Sequence, residues 1–121
     1  MIAIIPALDF MRSLCGSYRS EPVATLRIWA CGYGIAMDLA EEWQTKWVSV
    51  IGACGDGVEC FGQFGLPNVL RLTGQLTSKT AMGFECDDLS LTVSIVRHAE
   101  GLHLAMAVQG NERAAYNFIA A

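Results

Sequence analysis

Five cysteines and two histidines are the residues of this 121-residue chain whose types could carry out chemistry. Cys54 stands out, because the run Gly52-Ala53-Cys54-Gly55-Asp56-Gly57 places a thiol at a tight turn. A thiol there can lie near backbone N–H groups that lower its pKa. A catalytic cysteine also needs a histidine base and an orienting group, and His98 and Asp56 are the candidates. The run nevertheless falls short of a nucleophile elbow, which requires glycine where Asp56 stands and a helix where the pattern reads as strand. A small apolar cysteine beside a hairpin turn is the favoured reading.

Metal and phosphate chemistry have still less support. Cys54 and Cys60 have no second close cysteine pair, and neither His98 nor His103 completes a zinc spacing. Glu85, Asp87 and Asp88 lack the glycine and spacing of a calcium loop. Gly55-Asp56-Gly57-Val58 is not followed by the lysine and hydroxyl residue of a phosphate loop. The expectation is no cofactor, no metal, and a protein that is not an enzyme rather than one that is.

Composition narrows the classes further. Charged residues make up 17% against a usual share of about 25%, hydrophobic residues 53%, and the net charge is −4. So apolar a chain has ample surface to bury, which excludes disorder. Its eight Lys and Arg are scattered and outnumbered by twelve carboxylates, which argues against nucleic acid as a partner. No stretch without a formal charge exceeds eleven residues, too short for a membrane-spanning helix. The first residues lack the basic start of a signal peptide, and an odd number of cysteines suits reduced thiols. The reading is one domain over residues 1–121, cytoplasmic, with no membrane partner and with free cysteines.

Elements must then position these residues. Leu8, Met11, Leu14 and Cys15 recur at helical spacing after Pro6, and Gly16 closes that helix. GSYRSE reads as loop. Val23–Cys31 fits helix or strand, with helix preferred. Ile35, Leu39, Trp43 and Trp47 recur every four residues with Asp38, Glu42 and Lys46 opposite, which predicts a helix over 35–47. Trp43 and Trp47 on that helix would wall a pocket for a small apolar ligand against the sheet, although plain core packing is the commoner use of such a stripe. A three-residue loop at Gly55–Gly57 sets Cys54 opposite Val58 and puts Val48, Val50, Cys54, Val58, Cys60 and Phe64 on one face. A strand is expected over 68–77. Leu89–Gln109 reads as a hairpin pairing Ile95 with Leu104, Val93 with Met106 and Leu91 with Val108. Asn111 is placed as the cap of a short terminal helix. The resulting fold class is α+β: N-terminal helices, an antiparallel sheet of consecutive hairpins and a C-terminal helix.

One face of the Leu89–Gln109 hairpin is short of charge. Ser90, Thr92, Ser94, Val96, His103, Ala105, Ala107 and Gln109 occupy positions where a wet sheet would show Lys, Glu or Arg. Small and uncharged, they suit a covered face, with either a helix of the same chain or a second copy above it. The expected function is therefore a small non-enzymatic binding or interaction protein that forms a homodimer through this face. A small-molecule binder using Trp43 and Trp47, or a thiol enzyme using Cys54, are the alternatives.

Overall fold

Apolar residues at every second position run through almost the whole chain beyond residue 15, and the fold follows from them. The computed structural model describes residues 4–20, 24–32, 34–42, 44–54, 57–64, 68–86 and 90–121, the side chains of Ile4 and Cys54 excepted. One helix, α1 (Ile4–Ser13), precedes ten strands: β1 (Gly16–Ser20), β2 (Ala24–Cys31), β3 (Gly34–Glu41), β4 (Gln44–Cys54), β5 (Gly57–Phe64), β6 (Leu70–Ser78), β7 (Ala81–Cys86), β8 (Leu91–His98), β9 (Gly101–Val108) and β10 (Asn111–Ala120). Each strand pairs antiparallel with its neighbour in sequence, and β10 returns to β1, so the sheet closes into a barrel.

This overturns the α+β class. The helix expected over 35–47 is the β3–β4 hairpin, reversed around Glu42, whose φ is +47°. A stripe repeating every four residues is also a multiple of the strand period of two, so Ile35 and Leu39 face the core from a strand as readily as from a helix. Val23–Cys31 resolves as β2 from Ala24, its burial alternating from Ala24 to Ile28; Val23 lies outside the described residues. In the GSYRSE stretch Gly16–Ser20 form β1 rather than a loop, and Glu21 lies outside the described residues. The C-terminal helix is β10: Gln109 and Gly110, with φ of +51° and +79°, form a two-residue turn of the hand that hairpins require, and Asn111 pairs back with Val108 instead of capping a helix. The β8–β9 pairing has the register that its alternation predicts, Leu91 with Val108, Val93 with Met106 and Ile95 with Leu104.

The β4–β5 turn corrects a second expectation. Cys54 pairs with Gly57 and Ala53 with Val58, one residue away from the register of a three-residue loop. Because side chains alternate, that slip flips β4. Trp47, Ser49 and Ile51 point inward, while Val48 and Val50 are 46% and 45% exposed on the outer wall.

The interior is apolar. Leu26, Leu39, Ile51, Leu72, Leu91, Ile95, Leu102, Leu104 and Phe118 are each at most 1% exposed. Trp47 meets Phe64 and Tyr116 edge-on at 5.7 and 6.2 Å, and Tyr116 stacks on Phe118. At one end α1 packs against β3 to β6, with Ala7, Leu8, Phe10 and Met11 buried and Asp9 and Arg12 outward, and Leu14 just after the helix is buried too. An apolar interior behind an outer wall carrying Arg27, Asp38, Arg71 and Glu85 is the reverse of the pattern of a lipid-facing barrel. Among the described residues no helix is long and apolar enough to cross a membrane.

The β9–β10 ladder is tight at Gly101, where an added Cβ would run into the backbone carbonyl of Phe118. Gly57, at the start of β5, has open space at the same position. Gly101→Ala should therefore lower stability by about 2 kcal/mol or more in urea unfolding, and Gly57→Ala by less than about 0.5 kcal/mol. Equal effects of the two would contradict this packing.

Candidate functional site

The outer wall of β2 to β5 holds an exposed apolar cluster. The ladder sets Trp29 beside Ala36, Ala36 beside Val50 and Val50 beside Phe61 in one row across four strands. Phe61 is 46% exposed, and Val48 adjoins the row two residues from Val50. Ala36 is only 5% exposed, because the larger side chains on either side cover it. Contiguous apolar surface of this kind marks contact sites more often than scattered single residues do.

Charged pairs frame the cluster. On the β2–β3 side Arg27 reaches Asp38 at 3.7 Å, and its guanidinium lies 4.6 Å over the Trp29 ring. On the β5–β6 side Arg71 donates to Glu59 Oε1 at 2.6 Å. Glu59 itself is 7% exposed, and its second carboxylate oxygen is buried with no hydrogen-bond partner. An apolar centre with a polar rim is the usual anatomy of a protein–protein contact.

The uncharged β8–β9 face lies on the outer wall as well, four strands round from β4. Ser90, Thr92, Ser94, Val96 and Gln109 are exposed, and His103, Ala105 and Ala107 half-buried. Because α1 packs on β3 to β6, it leaves this face open. His103 Nδ1–H donates to Asn117 Oδ1 at 2.8 Å on the neighbouring strand β10.

The thiol candidates are spread over the barrel. Cys54 ends β4 and His98 ends β8, so the two strand ends are four strands apart around one rim; the Cys54 side chain and Asp56 lie outside the described residues. His98 is engaged locally, its Nδ1 accepting from the Glu100 N–H at 3.3 Å. Trp47, 3% exposed, belongs to the packed interior, and Trp43 lies outside the described residues. No group of three potential metal ligands occurs among the described residues.

Sequence reasoning missed Val48 and Val50 as surface residues because it placed Cys54 opposite Val58. The signal was present: a loop of Gly55 and Asp56 alone would have turned Trp47 and Ile51 inward, and these are the bulkier side chains. No protein-family model matches this chain, and no curated protein or solved structure matches it either.

Burial separates the thiols. Cys15 and Cys31 are exposed, whereas Cys60 and Cys86 are buried. Desolvation pushes the Cys60 thiol from 9.0 up to about 12, the adjacent Ser49 hydroxyl opposing slightly. The Ser49 Oγ forms no hydrogen bond of ordinary geometry. With its pKa raised in the folded state, Cys60 favours folding fully below pH 9 and loses that contribution as pH climbs toward 12. Stability should therefore fall by up to about 1.4 kcal/mol per pH unit across this window. Cys60→Ala should be less stable at neutral pH yet show a flatter alkaline decline; parallel declines would contradict the burial of this thiol.

Proposed function

We propose that this protein is a small non-enzymatic interaction protein that acts as a homodimer through the outer wall of its barrel. The observation that carries the reading is the row Trp29, Ala36, Val50 and Phe61, joined by Val48. Burying such a row removes apolar surface from water at roughly 25 cal/mol per Å². The same alternation that turns Trp47 and Ile51 inward leaves Val48 and Val50 exposed to a partner on this wall. The wide separation of the Cys54 and His98 strand ends supports binding over catalysis.

A second copy fits this wall, since one twofold axis through β4–β5 lets a single patch cover itself on both protomers. Each rim also carries both signs of charge, Arg27 with Asp38 and Arg71 with Glu59, so two copies can meet without a single-sign field between them.

The uncharged β8–β9 face favours a second reading, in which that wall forms the dimer. Its small side chains permit close approach, and Ala105 and Ala107 stand at its centre.

Light scattering at micromolar concentration separates these readings. The wild-type chain should be a dimer, Val50→Arg should be a monomer, and Ala105→Arg should remain a dimer. Dissociation by Ala105→Arg alone would move the interface to β8–β9. A wild-type chain that stays monomeric would sink the dimer altogether.

A further inference from the structure

At the end of the barrel that α1 closes, a cleft of about 340 Å³ lies between the helix and the β6–β7 turn. Pro6 and Phe10 form its helical wall, Leu76 its wall on β6, and Lys79 and Arg97 bring two cations to it. Arg97 occupies an inward-facing position at the end of β8 and bends over the helix. Its Nη1 donates to Ser13 Oγ at 2.8 Å, and its guanidinium lies 5.5 Å over the Phe10 ring. The Ser13 hydroxyl is itself oriented, donating to the Phe10 carbonyl at 2.6 Å. The Arg97 backbone N–H is tied to the Thr80 carbonyl at 2.7 Å, which joins the β8 end to the β6–β7 turn.

The guanidinium is thus held in place by a hydroxyl and a ring face. Among the described residues neither Arg97 nor Lys79 has a carboxylate within ion-pair distance. The one carboxylate lining the cleft, Asp9, is engaged by Arg12 on the same helix at 3.3 Å. A preoriented guanidinium with donors to spare suits a carboxylate or phosphate group, which it can bind through parallel hydrogen bonds. Lys79 adds a second positive charge, and the Pro6, Phe10 and Leu76 walls offer apolar contact to whatever carries the anion.

We propose that this cleft binds a small organic anion, an apolar or aromatic body bearing one carboxylate or phosphate group. The anion sits against Arg97 and Lys79, and the body against Phe10 and Leu76. The site lies at the capped end of the barrel, away from the β2–β5 row, so it stands or falls independently of the dimer.

Phenyl phosphate is a suitable probe, followed through the amide and arginine side-chain resonances of the ¹⁵N-labelled full chain. The expected result is saturable shifts at Lys79 and Arg97 with a dissociation constant on the order of 1 mM, rising with added salt. Arg97→Gln should weaken binding by about tenfold or more. Because Arg97 also braces α1, Lys79→Gln on the exposed turn is the second variant, expected to weaken binding severalfold without loss of folding. Asp9→Asn should tighten it, since it removes the negative charge facing the ligand. Inorganic phosphate should bind more weakly than phenyl phosphate, and vesicles of anionic lipid should not compete.

Three results would overturn the proposal. One is the absence of saturation by about 20 mM probe. Another is Lys79→Gln and Asp9→Asn variants that bind like the wild type. The third is inorganic phosphate or anionic vesicles binding as well as phenyl phosphate, which would leave the apolar walls without a role.

Discussion

Everything on the surface of this protein is decided by the need to fill the inside of a closed barrel. Ten strands enclose a wider space than eight, and side chains at alternate positions must occupy it together with whatever enters from the ends. Here Trp47, Phe64, Phe84 and Phe118 supply bulk from the wall, and α1 supplies Phe10 and Met11 from one end. Once these residues are committed inward, the residues between them have no choice but to face out. The exposed Val48, Val50 and Phe61 are thus the other half of the alternation that buries Trp47, Ile51 and Cys60.

Closure also explains why the molecule is uneven around its circumference. β10 pairs with β9 from Asn111 to Ile119, but with β1 only through Ile119 and Ala120. β1 is five residues long and meets the full start of β2, so the stagger that tilted strands require is concentrated at this seam. Side chains take over where the ladder stops. Tyr116 reaches from β10 to donate its hydroxyl to the Glu41 carboxylate on β3, and its ring is held between Trp47 and Phe118. The free edge of β10 begins with a bulge between Glu112 and Ala114 and carries Glu112 and Arg113, features that discourage pairing with a stray strand. Edge addition is thereby disfavoured.

How much of this could be read from sequence depended on whether a pattern had one period or two. The Leu91–Val108 hairpin was legible because its alternation over two strands admits one register only. Ile35, Leu39, Trp43 and Trp47 were not, because a spacing of four satisfies a helix face and a strand face alike, and the acidic residues between them suited either. Gln109-Gly110 was a hairpin turn hidden behind the capping preference of Asn111. The outer row at Val50 depended on whether two residues or three turn the chain after Cys54, a difference that no apolar pattern in the turn reports. The cleft at Arg97 joins residues 84 positions apart in the chain, Ser13 and Arg97, and only the closed barrel brings them together.

The shortage of charge takes on a sharper meaning in this architecture. It is most complete on β8–β9, where Arg97 is the one charged residue, while the exposed apolar side chains Val48, Val50 and Phe61 gather on β4–β5, and the two walls lie four strands apart in a ring of ten and so face nearly opposite directions. A contact between the β4–β5 wall of one copy and the β8–β9 wall of another would leave a fresh wall open on each, and such a contact propagates unless the rotation closes a ring. A contact of the β4–β5 wall with itself uses both copies of the same surface and stops at two. The larger side chains stand on β4 and β5, where Val50 and Phe61 can interlock with a partner. Those on β8 and β9 are Ser, Thr and Ala, which offer little apolar area to bury. In the proposed dimer the driving force for association therefore lies on the wall whose geometry can close.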